Sequence, residues 1–150
     1  MKNVRRSVRL AGMVALGLVA IVAMVRTSKA SIGNVSKSDL AGAWQMTIVG
    51  QTGCGFGTTL YTFTLNSSGS TSNATGTYHT TGCGDGTSSG NTFTIQSLNP
   101  NGSGTAGLSC GPSCGWVLSI QVAPDRSTFN VVDVSPLNPG NYIEGVAIHQ

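Results

Sequence analysis

The chain has 150 residues and a formal net charge of +3 at pH 7, but its positive charge is concentrated near the N-terminus. Six of the eight Lys and Arg residues fall within residues 1–30, so residues 31–150 hold two basic and five acidic side chains, a net charge of −3. A nucleic-acid-binding domain needs clustered basic residues to displace counterions from the phosphates. We therefore expect no nucleic-acid partner, and the length predicts one domain after residue 30.

The N-terminal segment has the organisation of a secretory signal peptide. Four basic residues within residues 2–9 precede an uninterrupted apolar run at residues 10–25, and Ser28 and Ala30 place small side chains at a cleavage site. The alternative is an uncleaved membrane anchor, but this run is shorter than the about 20 residues of a typical span. We predict a signal peptide at 1–30 and a mature domain at 31–150. The mature protein is then periplasmic or extracellular, with membrane contact only through the uncleaved signal peptide.

The predicted mature domain contains four cysteines, namely Cys54, Cys83, Cys110 and Cys114. Outside the cytosol an even number of cysteines indicates disulfides first, and four cysteines allow three pairings. A structural zinc site is the alternative, because four thiolates can hold the ion. Zinc modules supply these thiolates as two close pairs, however, and only Cys110 and Cys114 are close in sequence. We therefore predict disulfides, with no metal and no cofactor.

Residues 31–150 predict short β-strands rather than long helices. A helical turn near residues 36–40, capped by Ser36 or Ser38, is the exception. Elsewhere apolar and polar residues alternate with a period of two, as at Trp44, Met46 and Ile48, and Gly, Pro and Asn separate the runs. In chain order the predicted strands are residues 43–49, 59–66, 72–79, 92–98, 104–110, 115–122, 128–134 and 141–149.

The connections between these runs decide the predicted architecture. They are too short for parallel crossovers, which need a dozen or more residues, so consecutive strands should pair antiparallel. Eight such strands can close into an up-and-down barrel, which removes the unpaired sheet edges. The predicted fold is thus an all-β, eight-stranded antiparallel up-and-down barrel. A β-sandwich is the alternative.

The first predicted strand opens with Gly42-Ala43-Trp44. A Gly-x-Trp at the start of eight strands resembles the lipocalin and avidin-like (calycin) barrels, and in particular small exported bacterial lipocalin-like proteins. The resemblance covers these few residues and the number of strands. It implies that Trp44 closes one end of the barrel. That family also places a basic residue late in the chain across the Trp; no clear counterpart is present here, and His149 and Arg126 are the candidates.

The order of strands in such a barrel brings all four cysteines to one rim. Alternate loops lie at the same end, so the loops after the first, third, fifth and seventh strands share a rim opposite Trp44. Those loops are predicted at residues 52–58, 81–87, 110–114 and 136–140. The first two both read T-G-C-G-x-G-T, which predicts similar turns facing one another. We predict disulfides between Cys54 and Cys83 and between Cys110 and Cys114.

Nothing in the sequence indicates catalysis. The chain contains no H-E-x-x-H, G-x-S-x-G or phosphate-binding loop, and we expect its two histidines, His79 and His149, to lie on the surface. Asp133 and Glu144 could form a pair near the Cys-rich rim. In the alternative, Val132 and Val134 form the buried face of the seventh strand and Asp133 lies in solvent. We favour this alternative, because unpaired buried acids are costly. We expect no enzymatic activity.

Two functions are compatible with this pattern. In the first, the barrel holds a small apolar ligand, because eight-stranded barrels can hold one small molecule. The candidate ligand contacts are Tyr61, Phe63, Phe93, Trp116, Phe129 and Tyr142. In the second, large side chains plug the interior, and the protein is a structural or surface-interaction (adhesin-like) protein without a ligand. The sequence predicts no oligomeric state.

Overall fold

A computed structural model describes residues 33–111, 114–135 and 140–150, and the predicted signal peptide lies outside these ranges. The described residues form a closed barrel of eight antiparallel strands, in which each strand pairs with the next and the last pairs with the first. The predicted up-and-down barrel is therefore confirmed. The strands are β1 (Gly42–Thr52), β2 (Gly55–Leu65), β3 (Ser70–Thr80), β4 (Gly84–Leu98), β5 (Ser103–Gly111), β6 (Cys114–Val122), β7 (Thr128–Asp133) and β8 (Tyr142–His149).

Strands β2 and β4 begin earlier than the sequence pattern predicts. Residues 55–58 and 84–91 are rich in Gly and Ser and were expected in loops, but they pair with β1 and β3. At Gly57, which lies opposite Gly50, an added Cβ would overlap the backbone of His79 and Thr80. The glycine is thus required by close approach of neighbouring strands, and it does not mark a loop. The loops that join these strands are correspondingly short.

A single 3₁₀ turn, Lys37–Leu40, precedes β1 and covers one end of the barrel. Ser36 caps it, as one of the two predicted alternatives: the Ser36 backbone N–H and hydroxyl donate to the Asp39 carboxylate at 2.9 and 2.8 Å. Lys37 Nζ donates to the carbonyl oxygen of Gln96 at 3.1 Å, which ties the turn to β4. Leu40 is fully buried as a result, and it forms part of the cover of this closed end.

Trp44 lies directly beneath this turn. Its indole N–H donates to the carbonyl oxygen of Leu40 at 2.8 Å, and its ring centroid is 4.8 Å from that of Phe129. Of the two late basic candidates, His149 is the one that stacks on the indole. Arg126 instead approaches Asp39, with 3.5 Å between Nε and Oδ2. The closed end is therefore built by the first turn, the first strand and the last strand together.

The interior side chains become smaller from the closed end towards the Cys-rich rim. Strand β1 points Trp44, Met46, Ile48 and Gly50 inward, and the residues opposite them in β2 are Phe63, Tyr61, Thr59 and Gly57. An indole and a phenyl ring thus fill the lowest level, whereas two glycines face each other near the rim. The barrel is therefore packed at one end and hollow at the other.

Candidate functional site

A cavity of about 440 Å³ opens inside the barrel at the Cys-rich rim. Its main walls are the inward-facing residues Ile48, Thr59, Tyr61, Tyr78, Trp116 and Ile143. The volume lies within the range of about 300–1,000 Å³ that is typical of small-molecule sites. The inward-facing side chains of β1 and β2 are small at this end, where they are Gly and Thr, and the cavity is the volume that larger side chains would fill.

Cystine bridges stand at the mouth of the cavity. Cys54 is bonded to Cys83 across a Cα–Cα distance of 5.2 Å, which confirms that predicted pairing. Gly55 and Gly84, which follow these cysteines, share positive φ angles of 86° and 71°. The Gly82 N–H also donates to the Cys54 carbonyl oxygen at 2.8 Å, so the two repeated loops form similar turns that are held face to face, as predicted.

The second cysteine pair closes the β5–β6 hairpin. The structure joins Cys110 to Cys114, with Cα atoms 5.1 Å apart, and both residues line the cavity. Residues 112–113 between them, and residues 136–139 of the fourth predicted rim loop, lie outside the described ranges. All four cysteines therefore lie at one rim. Cys54, Cys110 and Cys114 line the cavity directly.

Two aromatic side chains enter the cavity from opposite walls. Tyr61 belongs to β2 and Trp116 to β6, which are four strands apart in a closed barrel of eight. They are 5 % and 8 % exposed. In the described part of the chain, neither the Tyr61 hydroxyl nor the Trp116 indole N–H hydrogen-bonds to another protein group. Both polar atoms therefore remain available to a molecule in the cavity.

The cavity lining that the structure describes is uncharged. None of these residues carries a formal charge at neutral pH; the polar side-chain groups come from the threonines, Ser88, Asn141, the two tyrosines and the Trp116 indole N–H. Burial raises the pKa of Tyr61 above its ordinary value of 10.0, so its phenol stays protonated at neutral pH. Because an ion would lose its hydration here without gaining a counter-charge, the lining suits an uncharged molecule.

The structure divides the six predicted ligand contacts into three groups. Tyr61 and Trp116 line the cavity, whereas Phe63, Phe93 and Phe129 lie below it. The Phe93 centroid is 5.2 Å from that of Phe63 and 5.8 Å from that of Phe129, so these three rings fill the lower barrel.

The sixth predicted contact, Tyr142, does not face the interior. It is 55 % exposed and lies opposite Gln51, while the next residue, Ile143, points inward. A shift of one residue along a strand exchanges its two faces, and the predicted face of β8 was the wrong one. Sequence reasoning also missed Ile48, Tyr78 and Ile143, which the structure places in the cavity wall.

The favoured interpretation of β7 is also wrong. Val132 and Val134 are 51 % and 50 % exposed, and Phe129 and Val131 form the buried face. Asp133 shares that inward face at the end of the strand, where its carboxylate accepts a hydrogen bond from the Ser135 N–H at 2.8 Å.

The acidic-pair alternative fails as well, because Glu144 is exposed on the outer surface of β8 and does not share the inward side of Asp133. The Asp133 carboxylate is satisfied locally by the backbone of Ser135. The two carboxyl groups are therefore not brought together at the lumen.

The two histidines have different environments. His79 is exposed on the outer face of β3, as expected, and its Nδ1 contacts the Asp85 carboxylate on β4. His149 was also expected on the surface, but it is half-buried against Trp44. Across the described ranges, three or more metal-ligating side chains do not cluster, and no helix is long and apolar enough to cross a membrane.

The chain matches no protein-family model, and no curated protein shows significant sequence similarity to it.

Proposed function

We propose that the protein is an exported, lipocalin-like binding module that holds one small, uncharged and largely apolar ligand. The observation that supports this proposal best is the cavity of about 440 Å³, which is open at the Cys-rich rim and has an uncharged lining with aromatic and aliphatic walls. The position of Trp44 at the closed end is consistent with a lipocalin-like barrel. The paired cysteines are consistent with export to an oxidising compartment.

The hydrophobic effect supplies the driving force for such a ligand. Burial of apolar surface contributes about 25 cal/mol per Å², so a ligand that buries about 200 Å² gains about 5 kcal/mol before the entropic cost of association. The Cys54–Cys83 bridge and the barrel strands hold the walls in place, and little ordering is required on binding. The ligand enters at the Cys-rich rim, because Trp44 and Leu40 fill the other end.

A surface-interaction role is the second candidate, and a separate observation favours it. The outer faces of the neighbouring strands β7 and β8 expose Val132, Tyr142 and Ile148, and Val134 is exposed directly after β7. Exposed apolar residues on one side of a barrel can form a surface that contacts another molecule. This role does not use the cavity, so the two candidate functions respond to different substitutions.

A binding titration with the uncharged fluorescent probe N-phenylnaphthylamine tests the cavity. Thr59 points into the cavity and Thr58 points out of the same strand, so Thr59→Phe fills the site and Thr58→Phe is the matched control. We expect saturable binding to the wild type. Thr59→Phe should weaken it at least about tenfold, a loss of about 1.4 kcal/mol of binding free energy, and Thr58→Phe should leave it unchanged.

Circular dichroism and thermal unfolding establish that both variants fold. The absence of saturable binding of uncharged apolar probes to the wild type would contradict the proposed function. Equal binding by folded Thr59→Phe and wild type would place the probe outside the cavity and contradict it as well. A double substitution, Val132→Ser with Val134→Ser, leaves the cavity intact and affects only a surface-interaction role.

A further inference from the structure

The hydroxyl of Tyr61 occupies a fixed position on the cavity wall. In the sheet, Tyr61 lies opposite Met46 of β1 and Gly76 of β3, one inward-facing position below Thr59. A Cβ at Gly76 would stand only 2.9 Å from Cε1 of the Tyr61 ring, so the glycine is what lets the ring lie against β3. The ring is therefore confined by packing, and its hydroxyl is presented to the cavity in a defined place.

Three hydroxyls at the site are bonded to the protein, whereas those of Thr59, Tyr61 and Tyr78 have no such bond within the described ranges; of these three residues Tyr61 is buried and the other two are half-buried. The Thr52 hydroxyl donates to the Gly55 carbonyl oxygen at 3.2 Å, and that of Thr80 donates to the Gly84 carbonyl oxygen at 3.4 Å. The Ser88 hydroxyl accepts from Asn91 Nδ2 at 3.0 Å. The Tyr61 hydroxyl has no corresponding bond within the described ranges, and it borders the cavity. A ligand that supplies an acceptor therefore adds a hydrogen bond at this point.

The chemistry of that acceptor follows from the surroundings. A protonated phenol offers one proton, and the described lining contains no cation that would stabilise an anionic oxygen. The best acceptor is then a neutral carbonyl oxygen. On the opposite wall, the Trp116 ring offers a large apolar surface against which a ring system can pack.

We propose that Tyr61 determines ligand specificity by donating a hydrogen bond to the carbonyl oxygen of an uncharged, ring-containing ligand whose apolar body packs against Trp116. This inference rests on the proposed binding function and narrows its ligand class from apolar molecules in general to neutral carbonyl compounds. The role of Tyr61 then depends on its hydroxyl group as a hydrogen-bond donor, which an aromatic ring alone does not provide.

A pair of matched probes tests the proposal. The naphthyl ketone Prodan has a carbonyl group, and its analogue with a propyl chain in place of the propionyl group has nearly the same shape without the acceptor. Tyr61→Phe removes only the hydroxyl, and Tyr142→Phe is the same change on the outer surface. We expect Tyr61→Phe to weaken Prodan binding about three- to tenfold and to leave the propyl analogue within about twofold. Tyr142→Phe should affect neither.

The emission of bound Prodan gives a second readout, because hydrogen bonding to its carbonyl shifts the emission to longer wavelength. Tyr61→Phe should therefore shift the bound emission to shorter wavelength, an effect that a purely structural role of Tyr61 would not produce. If both probes bind the wild type and Tyr61→Phe changes their affinities equally, the carbonyl assignment is overturned while the binding function stands. If neither probe binds the wild type, the binding function itself fails.

Discussion

The imidazole of His149 lies stacked on the indole of Trp44, with the ring centroids 4.6 Å apart and the planes inclined by 12°. The stack depends on Gly42, where an added Cβ would overlap the imidazole and where φ is +140°. The glycine of the Gly42-Ala43-Trp44 sequence thus has a physical reason: it leaves room for the ring that covers the tryptophan. The backbone N–H of Gln150 donates to the Ala43 carbonyl oxygen at 2.9 Å and fixes the end of the chain beside it.

Trp44→Phe should destabilise the protein by about 1–3 kcal/mol beyond the loss of ring volume, because the buried Leu40 carbonyl oxygen loses its donor. Denaturant unfolding followed by circular dichroism measures this change. Trp116→Phe is the matched control, since its indole N–H has no protein partner in the described ranges. A loss as large for Trp116→Phe as for Trp44→Phe would contradict the importance of the Leu40 bond.

Asn91→Asp should destabilise the barrel by about 2–3 kcal/mol although the two side chains have nearly the same size. Asn91 is buried where the β3–β4 register is irregular, and its Nδ2 donates to the Ala74 carbonyl oxygen at 3.0 Å. A carboxylate there would face that oxygen without a proton to donate. The same change at the exposed Asn130 of β7 should have little effect in the same unfolding experiment. Equal stability of the two variants would show that the bond at the irregularity is dispensable.

The Cys54–Cys83 bridge should stabilise the fold more than the Cys110–Cys114 pair. The separations along the chain are 29 and 4 residues, and the chain-entropy model then gives about 3–4 and about 2 kcal/mol. Paired Cys→Ser substitutions at each bridge, compared by thermal unfolding, measure the difference. If loss of the Cys110–Cys114 bridge destabilised the protein more than loss of the Cys54–Cys83 bridge, loop-closure entropy would not account for the stabilisation by the hairpin bridge.

Stability should fall at alkaline pH in a way that depends on Tyr61. Its folded-state pKa is raised by burial above 10.0, so the unfolded chain loses this proton first. The contribution of the protonated Tyr61 phenol to the free energy of unfolding is fully present below pH 10.0, and it disappears as the pH rises through the raised folded-state pKa. Urea unfolding between about pH 9 and 11 should show a steeper loss for the wild type than for Tyr61→Phe. Parallel curves would contradict the assigned burial effect.

Much of the barrel could be predicted because β1 and β2 alternate cleanly. Trp44, Met46 and Ile48 are separated by the polar residues Gln45 and Thr47, and all three point inward as predicted. The decrease in side-chain size towards Gly50 was also present in the sequence, and it could have located the cavity.

The inward faces of β7 and β8 could not be predicted in the same way. In β7 the apolar residues occur on both faces, as Val131 and Val132 illustrate, and the outer surface there is itself apolar. Alternation then no longer distinguishes inside from outside, and this explains the errors at Val132, Val134 and Tyr142. The early starts of β2 and β4 were missed because glycines required by close strand approach look like loop residues in a sequence.

Because interior side chains become smaller along the barrel axis, the two ends of the barrel determine different properties. Substitutions near Trp44 change the packing of the closed end and the free energy of unfolding, whereas substitutions near Thr59 change the shape of the cavity. The two properties can therefore vary almost independently. A few residues at the open end therefore set the size of the cavity while the sealed base stays the same, and the barrel is a scaffold whose cavity can be resized without rebuilding its core.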